Sequence, residues 1–487
     1  MKQKILIGAV AAVMAIGHAN ITEANSLPAG EPGLALLKSG DTVVDSRALV
    51  LGEEAYGDTR FSRSINGVSF QQDAVVSHQG YQYVGFYDAS RQVCIARRKL
   101  PAGEWETIRF GDYLFKANDA HNIISIGICP NDGTIHLAFD HHAHEMHYRV
   151  SSKGAASDPE TVGWAASLFS PVSSQLGGVE IPSVTYPRFI TTPEGELQLC
   201  WRRGGSGDGD RMLADYCSGT GNWQNIRPID SGAGTYAGSP SRCSYPNGYT
   251  YDVNGRLHMT WVWREDATQT ANHDLMYAYS DDRGSTWKNS DGLALEGVPR
   301  IDSPGVTVVE IPDNLGLMNT HGQAVDSQGR IHTVMWHCTP ESLAAAGAKP
   351  GDTRWGVPEA RRYHQYWRDD SGEWRHRELP GVAGNRPKLL FDKHDNAYLI
   401  FGSIRPQEVL ESGIYFPQGD LVIMAATASS QWNDWHAIHT EQGPFLNEML
   451  YDSSRWKEHG ILSILVQESP EGDSYASALR ILDFKRP

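Results

Sequence analysis

Hydrophobic and polar residues alternate with a period of two through most of this chain, in short runs broken by Gly, Asn and Asp. That period marks strands with one buried face, and the breaks mark turns. From Asp73 the runs read DAVVSHQG, YQYVGFYDAS, QVCIARRKL and WETIRF, four strands of which the last is led by a tryptophan. The same phrase returns over 117–172, 180–228, 240–300, 318–380, 384–440 and 447–485, about seven units in all. Four-stranded units repeated around a ring make a propeller, so the predicted fold class is all-β, a seven-bladed propeller of antiparallel four-stranded blades. The last unit has no tryptophan-led fourth strand. An open edge would expose unpaired backbone groups, so the segment Thr42–Leu51 is expected to pair there and close the ring. The longest interruptions are loops at 152–180, 288–317, 339–360 and 404–418, and residues 25–487 read as one catalytic domain.

Aligning the units on their turn glycines Gly133, Gly195, Gly255 and Gly329 brings His136, Gln198, His258 and His332 to one mid-strand position. These read as packing residues between blades. Ser280–Trp287 matches the S-x-D-x-G-x-T-W Asp-box of sialidase-type propellers. Its aspartate and glycine build a turn and its tryptophan fills the blade, so it speaks of fold rather than activity.

Residues 1–24 carry two lysines, an apolar run and a small-residue end, the pattern of a signal peptide. Export to the periplasm or medium is therefore expected. The run is shorter than the roughly 20 residues of a spanning helix, so no membrane partner is expected. The formal charge of -16 argues against nucleic acid and repels a polyanion at long range, unless arginines gather locally. Six cysteines show no framework spacing and read mostly as buried thiols.

The stretch His121–His147 contains a strand, the turn Asn131-Asp132-Gly133 and a returning strand. Antiparallel pairing puts the start of the first strand and the end of the second at one edge, so His121 and His141 are expected to sit together. The same reading gathers His142, Tyr186, Arg188, Arg202, Arg203, Tyr245, Arg264, His321, His337 and Cys338 on that rim with His121 and His141, and His147, His273 and His364 nearby. His142, His144 and His147 taken singly read as solvated loop residues. The rim offers few carboxylates, chiefly Asp140, Glu265 and Asp266, where a glycosidase needs a defined pair. β-Elimination from a uronate instead needs a cation on the carboxylate, a base at C5 and an acid at O4. Histidine, tyrosine and arginine can supply these, the tyrosine with its pKa lowered by a nearby arginine.

The single Asp-box, the repeated D-x-x-G-R-[IL]-H turns, His121-Asn122, DHHAH at 140–144, TYPRF at 185–189 and CWRR at 200–203 resemble the secreted ulvan lyases. The resemblance is closest to polysaccharide lyase family 25, more distant to family 24, and covers essentially the whole chain after residue 24. It implies that His121 and Tyr186 are the catalytic pair, His141 a second active-site histidine, Arg202 the carboxylate neutraliser and Tyr245 a further active-site tyrosine. Strand alternation leaves Arg202 and Arg203 as alternatives, and which of His121 and Tyr186 is the base stays open with the epimer. Arg188, Arg203, Arg264, Arg361 and Arg362 are candidates for uronate or sulfate contacts. The resemblance also implies a structural zinc, for which His321, His337, Cys338 and His364 are the residue types that suit. The expected function is elimination of an acidic sulfated polysaccharide by a monomer. The alternatives are a rhamnosidase-like glycoside hydrolase and a non-catalytic propeller that binds acidic glycans.

Overall fold

The period-two runs form antiparallel sheets of successive hairpins, in chain order, in a computed structural model that describes residues 33–52, 63–68, 73–268, 271–352, 357–404, 419–446, 448–472 and 474–487. The expected signal peptide at 1–24 and nearly all of the 404–418 loop lie outside these residues. The first sheet comprises Val75–His78, Tyr81–Tyr87, Gln92–Lys99 and Glu106–Leu114. In the second, Ile124–Ile128, Ile135–Phe139 and Tyr148–Val150 pair, and the segment after them joins only through isolated bridges at Phe169 and Ser173. The third runs Val184–Thr191, Leu197–Gly205, Asp208–Cys217 and Asn222–Pro228. The fourth runs Cys243–Tyr251, Leu257–Arg264, Asn272–Ser280 and Thr307–Val309. A parallel pairing of Gly209 with Cys243 ties the third and fourth together. The fifth runs Gly322–Val325, Ile331–His337, Arg362–Arg368 and Trp374–Glu378, and the sixth Lys388–Phe391, Ala397–Gly402, Gly419–Ala426 and His436–Phe445.

The last sheet takes strands from both ends of the described chain. Leu450–Tyr451, Ile461–Gln467 and Ala476–Lys485 are completed by Leu37–Leu49, in register from Leu37 opposite Lys485 to Leu49 opposite Ala476. The pairing strand expected around Thr42–Leu51 thus begins five residues earlier. Its hydrogen bonds cover the edge that the C-terminal unit would otherwise leave open.

Neighbouring sheets pack through apolar side chains and through the repeated mid-strand position. His136 is buried, with its ring nitrogens 2.7 Å from Thr134 Oγ1 and Tyr148 Oη, and its ring meets Trp223 edge-on. His332 meets Trp432 in the same way at 4.5 Å between ring centres. Gln198 donates to Asp215 and to the Arg283 carbonyl, and His258 contacts the Tyr277 hydroxyl at 2.9 Å. The sixth sheet repeats the device with other residues: Asp395, at φ 60°, stands in the turn-glycine place, and Tyr398, three residues on, bonds Asp392. Close approach is enforced at Gly127, where a Cβ would stand 2.5 Å from the Phe189 ring. In the Asp-box, Asp282 accepts from Thr286 N and Thr286 Oγ1, Gly284 takes φ 82°, and Trp287 is fully buried. All six cysteines are free. No helix among the described residues is long and apolar enough to cross a membrane.

Candidate active site

The second sheet supplies the histidines. Ile124 pairs with Phe139, which brings residues 119–122 and 140–142 to one edge. The strand stops at Asp140, whose φ of 61° is a left-handed value unusual outside glycine. Asp140 is buried and accepts from Asn122 Nδ2 and Tyr113 Oη, each at 2.5 Å, so the loop is held in that conformation. The turn breaks side-chain alternation, and this corrects the expected pairing of His121 with His141. His141 points into the interior, where its Nε2 accepts from His147 N at 2.8 Å and its Nδ1 is buried with no partner among the described residues. Burial pushes its pKa well below the ordinary histidine value. His142 occupies the expected place instead, with its ring stacked on His121 at 4.3 Å.

Both rings are held by Asp119, a residue that the sequence reading passed over. Its Oδ1 lies 2.5 Å from His121 Nδ1 and accepts from His121 N, and its Oδ2 lies 2.6 Å from His142 Nδ1. Burial alone would raise the Asp119 pKa, but the two histidines hold the carboxyl far below the usual carboxylate range. An ionised carboxylate only accepts hydrogen bonds, so both Nδ1 atoms carry protons and, in a neutral ring, Nε2 carries the lone pair. The available signal was local, an aspartate two residues before a histidine.

The third and fourth sheets supply the tyrosines and arginines. Thr185 pairs with Arg202, which sets the Arg202 guanidinium 5.2 Å from the Tyr186 ring centre. Tyr186 takes φ 56°, and its ring lies 6.1 Å from His121 and 6.2 Å from Tyr245. Sparsely populated backbone at Asp140 and Tyr186 places local strain at both ends of this group. Arg202 Nη1 and Arg264 Nη1 each donate to Tyr245 Oη at 3.0 Å, and Ser206 Oγ lies at the same distance. Arg202 is 1% exposed, whereas Arg203 points outward to Asp210, so the alternatives separate. Arg202 Nε is buried with no partner among the described residues. The expected lowering of the tyrosine pKa fails at Tyr186, because burial outweighs Arg202, Arg264 and Arg386 and pushes its pKa up.

The remaining candidates lie elsewhere. Arg188 is bound to Asp73 at 2.9 Å; the positive φ at Tyr186 and the register shift between Thr185 and Arg188 interrupt the alternation that would otherwise put Arg188 on the Tyr186 face. Arg361 lies against Trp336 and Arg362 donates to the Glu359 carbonyl. The expected zinc set does not converge. His321 Nε2 accepts from Trp336 N, while both nitrogens of His337 are used, Nδ1 on the Cys338 carbonyl and Nε2 on Tyr366 Oη. His364 stacks on His337 at 3.8 Å and turns its Nδ1 to His376 Nε2. Cys338 Sγ faces the Val357 carbonyl. Among the described residues, three such donor atoms come within 4.8 Å of one another only at Asp119, His121 and His142. Donors about 2.0–2.1 Å from a tetrahedral zinc stand roughly 3.3 Å apart. Separations of 2.5 and 2.6 Å fit shared protons better.

A family model described as "BNR repeat-containing family member" matches residues 81–381, more than half of the chain. The chain belongs to the BNR repeat-containing family. Its curated relatives include the long isoform of ulvan lyase of an Alteromonas species, 26% identical over 319 residues, which are 55% of this chain and 32% of that one. The long isoform of Pseudoalteromonas sp. (strain PLSV) is also 26% identical, with the same coverage. The chain thus spans about a third of the length of these relatives. Among solved structures, this BNR-family chain shares its fold with polysaccharide lyase Uly1, at a TM-score of 0.71 and 18% identity over 92% of this chain and all of that one. It also superposes on a PL25 ulvan lyase bound to -[GlcA(1-4)Rha3S]-, at a TM-score of 0.62 and 12% identity, covering 90% and 94%. The fold is propeller-like and all-β.

Proposed function

We propose that this protein is a polysaccharide lyase that cleaves ulvan by β-elimination next to a uronate. The observation that carries this reading is the convergence of His121, Tyr186 and Arg202 from successive sheets. The names of the relatives and of the superposed structures support the substrate class. The Arg202 guanidinium, with its Nε hydrogen unshared, would take the uronate carboxylate, seconded by Arg264 through the common Tyr245 oxygen. Neutralising that charge stabilises the enolate-like intermediate in a water-poor setting. These buried cations also supply the local positive field that a chain of net charge -16 needs to accept a polyanion.

His121 Nε2 then removes the C5 proton. The electron pair left on C5 forms the C4–C5 double bond as the C4–O4 bond breaks, and the Tyr186 hydroxyl gives its proton to O4. Burial keeps the Tyr186 phenol protonated, which suits the acid better than the base. In the same reading the sheets make seven blades, closed by Leu37–Leu49, and the chain is exported by its N-terminal segment and acts as a monomer. Incubation with ulvan, followed by far-ultraviolet absorbance and chain length, tests the function. Rising absorbance with shortening chains is expected. Shortening without absorbance would mean a hydrolase, and binding without shortening a lectin-like propeller.

A further inference from the structure

We propose that Asp119 is the positioning residue of this site, fixing His121 in the tautomer whose Nε2 is free of a proton and holding His142 beside it. The proposal rests on the lyase reading for its kinetic consequence, but not for its structural content. Asp119 offers one oxygen to each ring, at 2.5 Å to His121 Nδ1 and 2.6 Å to His142 Nδ1. Two parallel imidazoles stacked at 4.3 Å on one carboxylate leave neither ring free to rotate without losing its partner. The backbone N–H of His121 donates to the same Oδ1, so loop, carboxylate and ring are locked as one unit. The ionised acceptor also compensates positive charge as the C5 proton arrives, in the way a carboxylate behind a general-base histidine does.

Replacement by asparagine keeps the shape and removes this capacity. The amide has one accepting oxygen and an NH2 that only donates, so at least one histidine must turn or change tautomer. In the full-length Asp119→Asn protein, kcat on ulvan is expected to fall on the order of 10²- to 10⁴-fold, with KM within about 3-fold. The acid limb of kcat/KM is expected to move to lower pH, because an anion favouring the imidazolium has gone. A residue needed only for folding would not move that limb. Nitrogen-15 NMR of the imidazoles gives a readout independent of turnover. Wild-type His121 should be the Nδ1–H tautomer and the variant a mixture, with the melting temperature showing that the variant is folded. A wild-type His121 protonated at Nε2 would overturn the proposal, as would an Asp119→Asn enzyme with unchanged kcat and pH profile. If the wild type yields no unsaturated product, the lyase reading fails alone, and the tautomer measurement still decides the role of Asp119.

Discussion

The second and fifth sheets write the same sentence and end differently. Each places a histidine just before its first strand, His121 or His321, and histidines at the end of its second strand, His141-His142 or His337. At the second sheet a half-buried carboxylate holds two partly exposed imidazoles, and a tyrosine and arginines from the adjoining sheets face them. At the fifth, burial presses His321, His337 and His364 toward the neutral form. The cavity of about 210 Å³ beside His337 has Val309, Ile311, Pro312 and Leu315 in its wall. The comparison teaches that a histidine at a strand edge becomes chemically useful through the charge behind it and the solvent in front of it.

The largest effect should come from removing the chemistry at the second sheet. Tyr186→Phe and His121→Ala should each lower kcat on ulvan by about 10³-fold or more with the melting temperature little changed. Equal turnover in either variant would erase the contrast. The mirror experiment is His337→Ala, which should leave kcat unchanged but cost about 2–4 kcal/mol in denaturant unfolding, because it opens a cavity and strands the Tyr366 hydroxyl. A drop in kcat without loss of stability would move the active site toward the fifth sheet.

Acid sharpens the difference further. Unfolded histidines take up protons near pH 6.5, whereas folded His337 does so only at about 4, and His321 and His364 are also pushed down. Between those values the unfolded chain binds more protons, so stability falls as pH drops from about 6.5 to 4. Thermal unfolding across that range should show the fall, and His337→Ala should flatten it. The smallest effect is expected at Arg188, whose partly exposed ion pair with Asp73 lies apart from the catalytic group. Arg188→Ala should change stability by less than about 1 kcal/mol and leave kcat within about 2-fold, read from the same unfolding and absorbance assays.

Much of the fold was legible because period-two alternation and turn chemistry are local. The unit boundaries, the Asp-box turn and the packing place of His136, His258 and His332 all follow from residues near one another in the chain. The site was legible only as a set of edges. His121, Tyr186, Arg202, Tyr245 and Arg264 belong together because strand starts and ends share a side. His142 was placed on the rim but given a solvated loop role, because the left-handed turn at Asp140 breaks the alternation of the two adjacent histidines and no periodic pattern encodes such a turn. Asp119 was missed because it precedes the strand and falls outside the repeated phrase. The four zinc candidates are not drawn together for a related reason: their residue types suit the metal, but both ring nitrogens of His337 are turned to the Cys338 carbonyl and the Tyr366 hydroxyl.

The chain by itself determined that there are repeated four-strand units, where they begin, and that the C-terminal unit needs a strand from elsewhere, since backbone hydrogen bonding and burial act at short range. Only the tertiary structure decided which imidazoles face a carboxylate, which arginine turns inward and whether a tyrosine keeps its proton. Those outcomes depend on desolvation and on charges brought from other sheets, and both are set by distances through space.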